Sequence, residues 1–361
     1  MHSRPEQQDH SLWRPLRVLA ALLLLLHSLT AQAHVKWFAP YDIAKPPLPI
    51  GEVLTETFMW FFGGSIVFIF GFFMVDRYAL RKGYLAKFQE KIKIRDAESI
   101  DIMRLAIGIF FILLWAHGIF IKIPVFLTPD LVTHSQLIPW LQLAIGICAF
   151  FDRTVVLVGF GIAGLYIGGV AQYGIFHMTD YMIFIGMAYF FMVCSVTRWR
   201  WKKTGFVILY KGAGITLMWA SIEKFGYPHW TYPMLQDNPG MLMGMTPYNY
   251  MLLAGFIEFA ISFVMISSAS VLARKVAAGL QAVFILAILK FGPIDALGHL
   301  MIIVILFILF MRGPTDRIRA TMVLREKAIW VDAGFMTALY TFALVFFFIW
   351  YYGFHFYYYG W

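Results

Sequence analysis

The chain has 361 residues, of which 61% are hydrophobic, 18% aromatic and 14% charged, with a formal net charge of +9. A soluble domain carries about 25% charged residues, so this composition belongs to the membrane class. The basic residues sit in short clusters between apolar runs, which argues against a nucleic-acid surface and fits the orientation signal of a membrane protein.

Residues 1–33 read as a signal peptide. Arg4, Arg14 and Arg17 precede an apolar core over 18–26, and Ala31-Gln32-Ala33 has the form of a cleavage site. The core is too short to span a bilayer, which takes about 20 residues. Cleavage after Ala33 would start the mature chain at His34, whose α-amine and imidazole together offer a chelate for copper.

Apolar runs at 52–74, 103–121, 137–151, 154–173, 181–197, 205–222, 249–271, 276–291, 295–311 and 331–352 predict about ten transmembrane helices in an all-α membrane protein. Seven basic residues lie in 77–95, four in 198–203 and five in 312–327, with Arg153, Arg274 and Lys275 in the remaining loops of that side. The opposite loops carry only isolated lysines. The contrast places the basic loops in the cytoplasm, and His34 and the aromatic tail from His355 on the periplasmic side of an inner membrane. The two cysteines, Cys148 and Cys194, fall inside apolar runs and suggest neither a disulfide nor a thiolate site.

The middle of the chain repeats. Trp115 and Trp219 each precede a lysine and a proline at a helix end (Lys122 with Pro124, Lys224 with Pro228). A polar residue follows in the next helix, Gln142 or Glu258. An Asp then opens the last helix, Asp180 or Asp295. The expected architecture is two tandem four-helix bundles, 101–200 and 201–313, flanked by one helix within 34–100 and another within 314–361. The motifs Trp219-Ala220-Ser221-Ile222-Glu223-Lys224-Phe225, Tyr227-Pro228-His229-Trp230-Thr231, Gly255-Phe256-Ile257-Glu258 and Asp295 to His299 resemble the DoxX/DoxD-like membrane family. That resemblance implies a quinone-linked or other membrane redox role. The first copy departs from it, with Gln142 where an acid is expected.

All seven histidines from His34 onward (His34, His117, His134, His177, His229, His299 and His355) fall on or near the predicted periplasmic side. A wet interface suits imidazole, so the placement is not by itself a site. Two constellations go further. Asp295 and His299 share one helix face, with Lys224, Lys290 and Glu258 at similar depth; ionisable groups in a bilayer pair with one another, so Glu258 is expected to pair with Lys224 or Lys290. With Trp219, these groups would line a quinone pocket in which Glu258, Lys224, Asp295 and His299 move protons. In the first copy, His117, Lys122, His177 and Asp180 occupy the corresponding depth. A third group, His229 with Met241, Met243 and Met245, combines imidazole with soft thioethers, and the methionines would alternate along an extended segment. The metal expectation is copper held by His34, His117, His177, Asp180, His229, Met241, Met243, Met245, Asp295 and His299. It implies a periplasmic metal-carrying or electron-transfer partner. A scaffold without cofactor is the third reading. No nucleotide-binding or hydrolase motif is present.

Overall fold

A computed structural model describes residues 41–84, 90–194, 200–242, 244–324 and 327–360. The expected signal peptide (1–33), His34 and Met243 lie outside these residues. The described chain is all-helical: it has no strand, only an isolated bridge between Val125 and Val132. The main helices are α1 (Glu56–Lys82), α2 (Asp96–Ala116), α3 (Leu137–Ala149), α4 (Val155–Met178), α5 (Met182–Cys194), α6 (Gly205–Gly226), α7 (Pro247–Ser267), α8 (Leu272–Phe291), α9 (Pro293–Arg312) and α10 (Ile329–Tyr359). By length and composition, eight described helical stretches could cross a membrane; α4 and α5 form one of them, and α3, with 13 residues, is shorter.

Local chemistry sets several of these boundaries. The Thr55 hydroxyl accepts from Phe58 N at 3.2 Å and caps α1, which ends at Gly83 in the left-handed region after Arg81 and Lys82. The cap satisfies an orphan amide, and the two cations complement the helix dipole. The apolar stretch Val155–Cys194 is not one rod. At Gly174 (φ 81°, ψ 157°) the backbone leaves helical geometry in a conformation open to glycine, and α5 folds back along α4. A Cβ on Gly159 would lie 2.7 Å from the Ala188 carbonyl, so the two backbones touch far from the turn. Gly292 (φ 89°) makes the corresponding break between α8 and α9.

The packing order repeats. In the first series α2 lies on α3, α3 on α4 and α4 on α5; in the second α6 lies on α7, α7 on α8 and α8 on α9. The two series meet where α5 packs on α6 and α2 on α9. At the α5–α6 crossing, a Cβ on Gly212 would sit 2.9 Å from the Met182 carbonyl and 3.1 Å from the Cα of Gly186. Small residues let helices approach this closely, and membrane helix association relies on such van der Waals contact.

Helices α1 and α10 pair with each other, and α1 also lies on α7. Their shared end holds a buried charge cluster. Arg77 donates to Asp332 (2.9 Å), to Asp76 and to the Met322 carbonyl, and all three charged side chains are fully buried. Asp76 also accepts from the hydroxyls of Ser268 and Ser270, both at 2.6 Å, and from the amides of Ala269 and Ser270, both at 3.2 Å. The first and last helices are thereby fastened to the α7–α8 turn. Arg274, placed by sequence in a loop, is instead a buried side chain in the first turn of α8. It donates to the Met311 and Arg312 carbonyls, each at 3.1 Å, and so caps the end of α9.

Candidate functional site

The helix ends opposite this cluster carry the histidines, and residues 41–49 run across them as a strap. Tyr41 stacks on His177, with ring centroids 5.8 Å apart and its hydroxyl 3.4 Å from Nε2. Tyr173 and Tyr181 flank the same imidazole at 5.3 and 5.7 Å. The Ile43 carbonyl lies 2.9 Å from His355 Nε2, which places the proton on that nitrogen, because a carbonyl only accepts. Tyr227 donates to the Lys45 carbonyl (2.7 Å), Leu48 N to the Gly226 carbonyl (2.8 Å) and Tyr352 to the Leu48 carbonyl (2.9 Å). The strap is thus tied to α6 and α10 by backbone groups and sits directly on His177.

Beneath it lie two buried acids, Asp180 from the turn after α4 and Glu223 from the last turn of α6. Both are within electrostatic range of the Tyr351 hydroxyl on α10. One comes from each helical series, so this seam of the molecule concentrates His177, His355, Asp180 and Glu223. Beside it, Pro46, Pro47, Leu48, Pro49 and His229 line a cavity of about 430 Å³. Burial and the neighbouring Lys45 charge hold the His229 pKa below its usual value.

The second constellation is in the second series. Lys224 and Glu258 form an ion pair, with 28% and 22% of their side chains exposed; Lys290 instead lies over the Phe291 ring. His299 Nδ1 lies 3.0 Å from Oδ1 of the fully buried Asp295. That is ion-pair distance without hydrogen-bond alignment. Phe284 covers the His299 ring at 4.6 Å.

The corresponding position of the first series is different. The Gln142 amide donates to the Val125 and Phe126 carbonyls at 2.7 and 3.0 Å, pinning a loop rather than pairing with Lys122. Lys122 is an exposed residue in the left-handed region, and His117 begins the π turn His117–Ile121. No described contact brings His117 to His177. Trp219, expected at a cofactor, is fully buried among Phe176, Trp350 and Tyr351.

The expected extended methionine segment is not present. Met241 belongs to the single turn Pro239–Leu242, Gly244 takes φ 79°, and Met245 N closes onto the Leu242 carbonyl at 2.8 Å. This chain reversal removes the strand-like alternation that would have aligned the sulfurs. Among the described residues, no three His, Cys, Asp or Glu side chains are arranged to hold a metal ion.

Sequence reasoning missed Glu223, Tyr41 and Tyr351. Glu223 carried a usable signal, an acid one residue before Lys224 inside an apolar helix. The strap had none, because its role depends on contacts with residues more than a hundred positions away. No family model, curated protein or solved structure matches this chain. Fold and site together define a multi-pass α-helical membrane protein with a polar, histidine-bearing seam under its N-terminal strap.

Proposed function

We propose that this is a DoxX-like inner-membrane protein that handles copper on its periplasmic face. In this reading the chain crosses the membrane ten times, with two four-helix units flanked by α1 and α10. The signal peptide is removed, and both mature termini face the periplasm. The metal is held where the strap meets His177 and Asp180. The observation that carries the reading is the docking of Tyr41 on the buried His177, because His34 lies only seven residues upstream. The described donors supply an imidazole and a carboxylate, which suit copper but do not complete a site. An α-amine and a second imidazole from His34 would complete it. Bound copper supplies one-electron redox chemistry or a transferable ion. The chain's own residues fix the imidazole between three tyrosines and keep the acids out of bulk water. A periplasmic metal-carrying or electron-transfer protein is the expected partner.

The test is N-terminal sequencing and elemental analysis of the detergent-purified protein after copper loading. About one copper per chain that is lost in His34→Ala and His177→Ala is the expected result. A chain beginning at His34 that binds no copper would overturn the reading.

A second reading is favoured by the Lys224–Glu258 pair. An acid–base pair that is partly exposed on an apolar helix can exchange protons with a lipid-soluble ligand such as a quinone. Asp295 would then orient His299 as a second proton carrier. Quinone that co-purifies with wild type and is lost from Glu258→Gln would support it; equal quinone content in both proteins would count against it.

A further inference from the structure

Buried tyrosine and tryptophan normally find partners for their O–H and N–H groups, and phenylalanine packs equally well where no such partner exists. At the seam two such groups break this rule. The Tyr351 hydroxyl and the Trp219 indole nitrogen are both fully buried, and neither has a hydrogen-bond partner among the described residues. Packing therefore does not account for the choice of these side chains. Their distinguishing property is that both rings can be oxidised by one electron.

They are also the inner end of an unbroken series of ring contacts drawn from five segments of the chain. His177 contacts Tyr41 at 5.8 Å, and Tyr41 contacts Trp230 at 5.5 Å. Trp230 stacks on Tyr227 at 4.1 Å and 9°, Tyr227 meets Tyr351 at 6.3 Å, and Tyr351 meets Trp219 at 4.7 Å. The series begins at the strap and ends in the buried interior of α6 and α10.

We propose that these rings form a one-electron relay that carries oxidising equivalents from the strap to Tyr351. The oxidant is a one-electron acceptor at the strap able to oxidise a phenol, such as a high-potential metal centre. It takes one electron from the near end of the series, and the electron deficit moves inward to Tyr351. The Tyr351 phenol then loses its proton, through one bridging water, to the Glu223 carboxylate within electrostatic range. In balance, a phenol, a carboxylate and an oxidised acceptor give a neutral phenoxyl radical, a carboxylic acid and the reduced acceptor. The inference goes beyond copper handling, since any oxidant of this strength would feed the relay.

The test uses a photogenerated oxidant, so it does not depend on copper binding. A ruthenium polypyridyl sensitiser is tethered to the full chain at Asp42→Cys, with Cys148 and Cys194 replaced by alanine. After a flash in the presence of a sacrificial electron acceptor, electron paramagnetic resonance and transient absorption follow the radicals. The expected result is a tyrosyl radical that is lost in Tyr351→Phe and forms several-fold more slowly in Tyr227→Phe. Both variants keep the ring packing, and their melting temperatures check this. A radical with the same yield and rate in both variants would overturn the relay. So would a radical confined to exposed tyrosines.

Discussion

Replacing Arg77 by alanine removes the cation that pairs with Asp76 and Asp332, both also fully buried. Asp76 keeps four donors from Ser268, Ala269 and Ser270, whereas Asp332 loses the donor on Oδ2, and its Oδ1 already has none among the described residues. Breaking a buried pair by deleting one partner costs roughly 3–5 kcal/mol, about a 150- to 4,000-fold shift in the folding equilibrium. The buried thiol of Cys194 provides the assay, because a thiol-reactive fluorophore labels it only as the helices separate on heating. Arg77→Ala should label at clearly lower temperature than wild type. Asp316→Asn, whose carboxylate is 99% exposed, should not. The double variant Arg77→Met with Asp332→Leu should recover part of the loss, since it leaves no unpaired Asp332 charge and lets apolar atoms fill the space. Labelling of Arg77→Ala at the wild-type temperature would refute the claim that this cluster fastens α1 and α10.

Three further outcomes are expected. Gly212→Leu drives a side chain into the Met182 carbonyl at the α5–α6 crossing, costs about 1–3 kcal/mol or more, and should lower the same labelling temperature. Gln142→Leu strips the donor from the Val125 and Phe126 carbonyls and should cost about 1–3 kcal/mol, with proteolytic cleavage of the 122–136 loop rising in parallel. For His229, burial first and Lys45 second lower the pKa from 6.5, so the unfolded chain takes up the proton before the folded one does. Stability should therefore fall as pH drops below about 6.5. Lys45→Ala should raise the His229 value measured by NMR titration, and an unchanged value would remove Lys45 as a cause.

Much of the helical pattern was legible because apolar runs and breakers act locally. Gly174 and Gly292 turned out to be the residues that permit the two reversals, and the Glu258–Lys224 pair followed from the cost of leaving either charge alone in an apolar helix. The same rule should have drawn attention to Asp76, Arg77 and Asp332, but their neighbours belong to helices at opposite ends of the chain, and Arg77 read as one of many loop cations. The extended methionine segment failed for a local reason: Gly244 reverses the chain where the sequence suggests alternation. The strap failed for a distant one. Nothing in Tyr41 or Ile43 announces His177 or His355, and the ties run through carbonyl groups that every residue possesses.

The clasp between the first and last helices also constrains how the protein is made. Arg77 meets Asp332 across 255 residues of sequence, so during synthesis α1 is made with Asp76 beside Arg77 but long before the second carboxylate of the cluster exists. Until then the Asp76–Arg77 pair lacks the Asp332 acceptor that completes its cluster. Only when α10 has been inserted can the cluster close and the strap be tied down at the other end by Tyr352 and His355. A chain stopped short of α10 would carry two complete helical series, yet lack Asp332 in the charge cluster and Tyr352 and His355 under the strap. The last helix to be made is thus the one that joins the two ends of the molecule.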